Sequence, residues 1–271
     1  MINRKHTKEN IEMIVECIRH YFKTNASPST KAIIGISGGK DSTIAATLCT
    51  MALGKDRVYG VMMPCGVQDD IQDSYDVVNY LGIDYCVINI EAPVAAHYDT
   101  LKYAYAGMDI GDEEAWHRII TNAPARIRMT TLYSIAALIG GRVINTCNAS
   151  EDFIGYSTKF GDGAGDYSPL GVYTVTEVIE MGKVLGLPER FIFKAPSDGM
   201  CGKTDEENLG FTYKELDKYL LDIEPLSPDT YEKVKNWHNR NIHKLIPMPK
   251  APRITYPTPL RWGVIDGLPI S

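Results

Sequence analysis

The feature that most narrows the choice of fold is a glycine-rich octapeptide, GISGGKDS at residues 35–42, set between an apolar run and a helix-forming stretch. The run KAIIGIS (31–37) has the length and composition of a buried strand, and helical character resumes from Thr43 to Leu53. Strand, tight glycine turn and helix in this order form an anion cradle. Adjacent glycines let the backbone approach a phosphate closely, while the helix N-terminus offers unpaired N–H donors and a partial positive charge. The spacing excludes a Walker loop, because Gly35 and Gly39 are too close and Asp41 separates Lys40 from Ser42. A GxGxxG fingerprint is also absent. The alternative is an ordinary glycine turn.

The strand-then-helix unit recurs. Further strands are predicted at 58–63, 85–90 and 142–147, with helical stretches over 69–81 and through RIRMTTLYSIAALI. An opening amphipathic helix has Ile11, Ile14, Val15, Ile18 and Tyr21 on one face. Alternation of this kind implies an α/β fold, a doubly wound parallel sheet of about five strands with helices on both faces. Ligands in such sheets collect beyond the carboxyl ends of the strands, which here lead into GGKDS, MPCG and NTCNASED. Thr174 with Glu177, and Ser227 with Pro228, mark later helix starts. Residues 196–210 have the polar, glycine-containing composition of a mobile loop. Residues 1–246 are expected to form one domain, and residues 247–271, with six prolines, an extended tail packed on a surface or a neighbouring subunit.

A net charge of −6 and a pI near 5.6 give no basic footprint for nucleic acid. No apolar leader opens the sequence and no run reaches the roughly 18 apolar residues of a membrane span, so a cytoplasmic protein is expected. The six cysteines and six histidines are scattered without metal-ligand spacing, which predicts free thiols and no structural zinc.

The octapeptide resembles the SGGxDS loop of the N-type ATP pyrophosphatases, which cleave ATP between its α- and β-phosphates. The segments NAPARIRMTTLYSIAA, NTCNASEDFIGYSTKFGDGAGDYSPL, KAPSDG and KTDEENLGFTYKELDKYL, then His243-Lys244, resemble the consecutive motifs of ammonia-dependent NAD synthetases over roughly residues 10–245. The resemblance implies an adenine nucleotide alpha hydrolase-like fold. It also implies ATP, deamido-NAD and ammonia as substrates, Mg2+ as cofactor, and a homodimer whose interface builds the dinucleotide site.

The resemblance assigns ATP to Gly35, Ile36, Ser37, Gly38, Gly39, Lys40, Asp41 and Ser42, with Thr146 and Ser197 as further nucleotide contacts. It assigns magnesium to Asp41 and Glu151, deamido-NAD to Arg126, Lys159, Asp166, His243 and Lys244, and the proton from ammonium to Asp162. The same residue types also serve as helix caps or surface acids (Asp41, Glu151), local hydroxyl caps (Thr146, Ser197), solvated cations, or a turn aspartate between Gly161 and Gly163 (Asp162). Two departures stand out. The residues after His243-Lys244 break from the family's basic continuation, and Val175 stands where many relatives carry a phosphate-binding lysine, so Lys40 is the expected substitute. A nucleotide-binding protein without catalysis, or a tRNA-modifying enzyme, would share the glycine loop. Retention of Asp41, Glu151, Lys159 and Asp166 argues for the ligase.

Overall fold

The computed structural model describes residues 4–108, 112–193 and 205–248, together with two short strands at 264–265 and 268–269. The chain opens with helix α1 (Arg4–Asn25), then strand β1 (Lys31–Gly35), α2 (Lys40–Leu53), β2 (Val58–Met62), α3 (Ile71–Leu81) and β3 (Asp84–Val87). Next come α4 (Glu91–Ala104), α5 (Glu113–Ile139), β4 (Gly141–Ile144) and α6 (Ala149–Ile154). After a long irregular segment follow α7 (Val175–Val184), α8 (Glu189–Ile192), α9 (Asp205–Leu209), α10 (Tyr213–Leu220) and α11 (Pro228–Leu245).

The sheet is wholly parallel, in the order β3-β2-β1-β4, so the chain reverses its direction of winding at β1. That reversal opens the crevice beyond the ends of β1 and β4 where α/β ligands sit. Successive β1 side chains face opposite layers. Ala32 and Ile34 pack with Ile14, Ile18, Ile44 and Leu48 of α1 and α2, whereas Ile33 packs with Val61, Val143, Met129 and Leu132 on the α5 face. Each fully buried aliphatic side chain of this kind contributes about 1.5–3 kcal/mol. A third cluster of Ile154, Val175, Phe211, Leu216 and Val234 joins α6, α7, α10 and α11.

About five strands were expected in the parallel sheet, and among the described residues it has four. Where a fifth would lie beside β4 there is a single parallel bridge, Ile144 to Tyr167. The Asp166 N–H donates to Val143 O at 2.7 Å while its carboxylate accepts the Val143 N–H at 2.8 Å. One side chain therefore takes a ladder position that backbone would otherwise fill, and the glycines of residues 161–165 carry no strand propensity. The loop expected over 196–210 contains a helical turn, α9, whereas residues 194–204 lie outside the described set. The expected tail likewise lies largely outside it, apart from strands β5 (Val264–Ile265) and β6 (Leu268–Pro269), paired antiparallel. Both predicted helix starts form capped N-termini: Thr174 and Glu177 make a reciprocal capping box, and Ser227 accepts the Thr230 N–H.

Candidate active site

The glycine loop occupies the turn from β1 into α2. Gly39 is the N-cap of α2 and makes no side-chain cap bond, so the first turn keeps donors directed beyond the sheet. Ser37 and Ser42 brace the loop from within, with hydroxyls 3.1 Å apart, and Gly39 N–H donates to Ser37 Oγ at 3.3 Å. Gly38 adopts φ +77°, and a Cβ there would stand 2.7 Å from Asp73 Cβ of α3, so only glycine fits both the conformation and the space. Ile36, 3% exposed, anchors the loop in the core.

At the head of α2, Lys40 Nζ contacts Asp41 Oδ2 at 2.8 Å and is almost wholly buried. The other Asp41 oxygen accepts from Asn148 Nδ2 at 3.1 Å. Asn148 caps α6 and forms a capping box with Glu151, accepting the Glu151 N–H while its own N–H donates to Glu151 Oε2. Asn148 thus brings the two carboxylates expected to bind metal, 110 residues apart in sequence, to one place. The residue types NxxE announce such a box, yet its bond to Asp41 is visible only in three dimensions. Burial, then the charge of Asp41, raises the Glu151 pKa to about 8, with Lys40 opposing. Burial alone would lower the Lys40 pKa, but Asp41 and Glu151 outweigh it and the net shift is upward.

Thr146 follows β4 and is partly buried beside this cluster in sequence, while Ser197 lies outside the described residues. Asp162 accepts the Thr158 N–H at 3.0 Å, and Asn145 holds its loop by donating to Asp162 O and Ala164 O at 2.8 and 2.9 Å. Although the residue reaches solvent, protein packed around the carboxyl raises its pKa against the Thr158 hydrogen bond and the Lys244 charge. Asp152, not singled out from sequence, has its pKa raised to about 6 by burial and by Asp162. It lines both of two adjoining cavities of about 190 and 200 Å³.

The residues expected to bind the dinucleotide separate into two groups. Arg126 donates to Lys159 O at 3.3 Å, and Lys159 Nζ to His243 O at 2.5 Å, which ties α5, the loop after α6 and the end of α11 together. Lys244 donates to Gly155 O and Ser157 O at 2.8 and 2.9 Å, a clamp on the C-terminus of α6, with burial lowering its pKa. Gly155, at φ +63°, lets α11 approach so closely that a Cβ would fall 2.3 Å from Asn241 Cβ. Asp166 stands apart in the second cavity, bonded to Val143 and, at 3.3 Å, to the Tyr133 hydroxyl. Val175 is only 7% exposed, in the apolar cluster joining α6, α7 and α10.

This geometry coincides with a match of residues 10–250 to the NAD synthase family. The chain belongs to the NAD synthase family. Among its relatives, an NH3-dependent NAD+ synthetase from Carboxydothermus hydrogenoformans is 39% identical over 89% of this chain and 96% of that protein. One from Pyrococcus furiosus is 41% identical over 78% of each. The NMN synthetase structure from Francisella tularensis superposes with a TM-score of 0.80 at 33% identity, covering 92% of this chain and 99% of that one. The NH3-dependent NAD synthetase of Campylobacter jejuni gives 0.72 at 27% identity, over 91% and 99%. The NAD synthase fold, an α/β sheet flanked by helices, is thus the fold of this chain. Among the described residues no helix is long and apolar enough to cross a membrane.

Proposed function

We propose that this NAD synthase family member is an ammonia-dependent NAD synthetase, which adenylates the nicotinate carboxylate of deamido-NAD with ATP and lets ammonia displace AMP. The observation that carries the reading is the Asp41–Asn148–Glu151 cluster set at the head of α2 behind the glycine loop. A carboxylate and ammonia alone give a salt, because negative charge repels the nucleophile and hydroxide leaves poorly. Transfer of AMP to that oxygen supplies a good leaving group and releases pyrophosphate. The α2 N-terminus and loop amides suit that departing anion.

Asp41 and Glu151 would hold Mg2+, and they fit it: hard oxygen ligands, two in number, already gathered around a cationic group, the Lys40 ammonium. Mg2+ bound there supplies charge neutralisation to the phosphates. Lys40 shares that charge, Asp162, whose pKa burial raises, accepts the proton of ammonium, and Arg126, Lys159 and His243, joined by hydrogen bonds, would bind the substrate's pyrophosphate. Thr146 and Ser197 complete the ATP site. Tyr133, Leu138 and Ile139 leave apolar surface exposed on α5, in keeping with a homodimer. The described cysteines are all free thiols, which suits the cytoplasm.

The test is to supply the purified chain with ATP, Mg2+, deamido-NAD and either ammonium or glutamine. NAD and AMP should appear in equal amounts with ammonium and not with glutamine alone. Pyrophosphate release that ignores the nicotinate substrate would overturn the reading. The TM-score of 0.80 against the Francisella tularensis NMN synthetase favours a second reading, in which the substrate is nicotinate mononucleotide. A higher kcat/KM with the mononucleotide than with deamido-NAD would select it.

A further inference from the structure

Asp217 sits within α10, 1% exposed, and faces the first turns of α6 and α7. Its Oδ1 accepts the Ser150 hydroxyl at 2.5 Å. Its Oδ2 accepts both the Thr176 N–H at 2.6 Å and the Thr176 hydroxyl at 2.5 Å. Ser150 Oγ in turn accepts the Val175 N–H at 3.0 Å. One carboxylate thereby takes up two first-turn donors of α7, one directly and one through a serine, and pins the first turn of α6 as it does so.

That turn of α6 is the one that carries the metal-site residues. Ser150 is flanked by Glu151, and the α6 cap Asn148 donates to Asp41. Among the described residues no Lys or Arg forms an ion pair with Asp217, and burial raises its pKa against its three hydrogen bonds. A buried carboxylate without a counter-cation is a costly way to join helices that an apolar contact would join at least as well. What it provides that an apolar contact cannot is direction: charge-assisted hydrogen bonds are short and angle-dependent, so they fix rotation of α6 about its own axis.

We propose that Asp217 is a positioning residue for the metal-dependent step, acting through Ser150 to hold the Glu151 carboxylate beside Asp41, where the two would hold a divalent cation. This rests on the reading of Asp41 and Glu151 as the magnesium ligands. Asp217→Asn replaces one acceptor oxygen with a donor that must face either the Thr176 pair or the Ser150 hydroxyl. Ser150→Ala removes a single hydroxyl and leaves Asp217 in place.

Mn2+ binding, followed by electron paramagnetic resonance with α,β-methylene ATP present and no turnover, reads the site directly, and melting temperature is followed in parallel. Both variants should weaken Mn2+ at least tenfold while affinity for the metal-free nucleotide stays near that of the wild type. In assays at saturating nucleotide, the Mg2+ concentration for half-maximal rate should rise likewise. Unchanged Mn2+ affinity in a folded Ser150→Ala protein overturns the proposal, even where melting temperature falls, because a purely structural bond lowers stability alone. Should the wild type itself bind no Mn2+, the magnesium assignment fails first and this inference with it.

Discussion

Lys40 Nζ lies 2.8 Å from Asp41 Oδ2, so two successive residues at the head of α2 form an ion pair with side chains only 9% and 20% exposed. The charge of Asp41, joined by that of Glu151 where it ionises, raises the Lys40 pKa despite its burial. The lysine is thus the counter-cation of Asp41. A divalent ion held by Asp41 and Glu151 would compete for the same oxygens and leave Lys40 free to pair with phosphate.

Lys40→Ala is therefore expected to raise the ATP concentration for half-maximal rate at least tenfold, equivalent to about 1.4 kcal/mol. Initial rates at saturating deamido-NAD and Mg2+ provide the check; an unchanged ATP dependence removes Lys40 from the phosphate site. Adding Val175→Lys, the residue many relatives carry at that position, should lower the melting temperature. Val175 is buried against Ile154 and Leu216, and an ammonium there would have to leave an apolar cluster.

Asp41→Asn should leave the fold intact and reduce turnover at least a hundredfold, about 2.7 kcal/mol in the transition state. An amide keeps the Asn148 contact possible yet is a weaker ligand for a hard cation and removes the Lys40 ion pair. Circular dichroism paired with NAD formation separates the two effects, and full activity at limiting Mg2+ would exclude Asp41 from the metal site.

Gly38→Ala should cost stability and nucleotide binding together. A non-glycine residue at φ +77° is strained by about 1 kcal/mol or more, and its Cβ would press on Asp73 of α3 at 2.7 Å. Denaturant melts with and without ATP would show a loss in both; a wild-type melt would mean the loop relaxes without cost.

The pH dependence of the metal-free protein follows from Glu151. Its folded pKa, about 8, exceeds the ordinary carboxylate value, so the folded state binds the extra proton and Glu151 contributes stability at low pH. That contribution is lost as pH rises from about 4.5 toward 8. Glu151→Gln should flatten the decline and melt above the wild type at pH 8, and Mg2+ with ATP should stabilise the wild type most at that pH. Parallel curves for the two proteins would show that Glu151 is ionised throughout.

The glycine loop was legible in the sequence because its determinants are consecutive: a strand, two adjacent glycines and a helix start within a dozen residues. The four strands and the helix starts at Thr174–Glu177 and Ser227–Pro228 were legible for the same reason, since hydrophobic period and cap chemistry are local. The expected fifth strand was not, because whether Val143 bonds to backbone or to the Asp166 carboxylate depends on the path of a distant loop.

Sequence alone determined the α/β class, the glycine turn between strand and helix, and the place of Asp41, Glu151, Lys159 and Asp162 in one resembled series. Tertiary structure decided what those side chains touch. Asn148 reaches Asp41 across 107 positions, Asp217 reaches Ser150 across 67, and Lys159 bonds His243 across 84. Hydrogen bonds select partners by a few tenths of an ångström and by angle. Those distances exist only once the sheet has brought β1 and β4 side by side and packed α6, α10 and α11 over their ends.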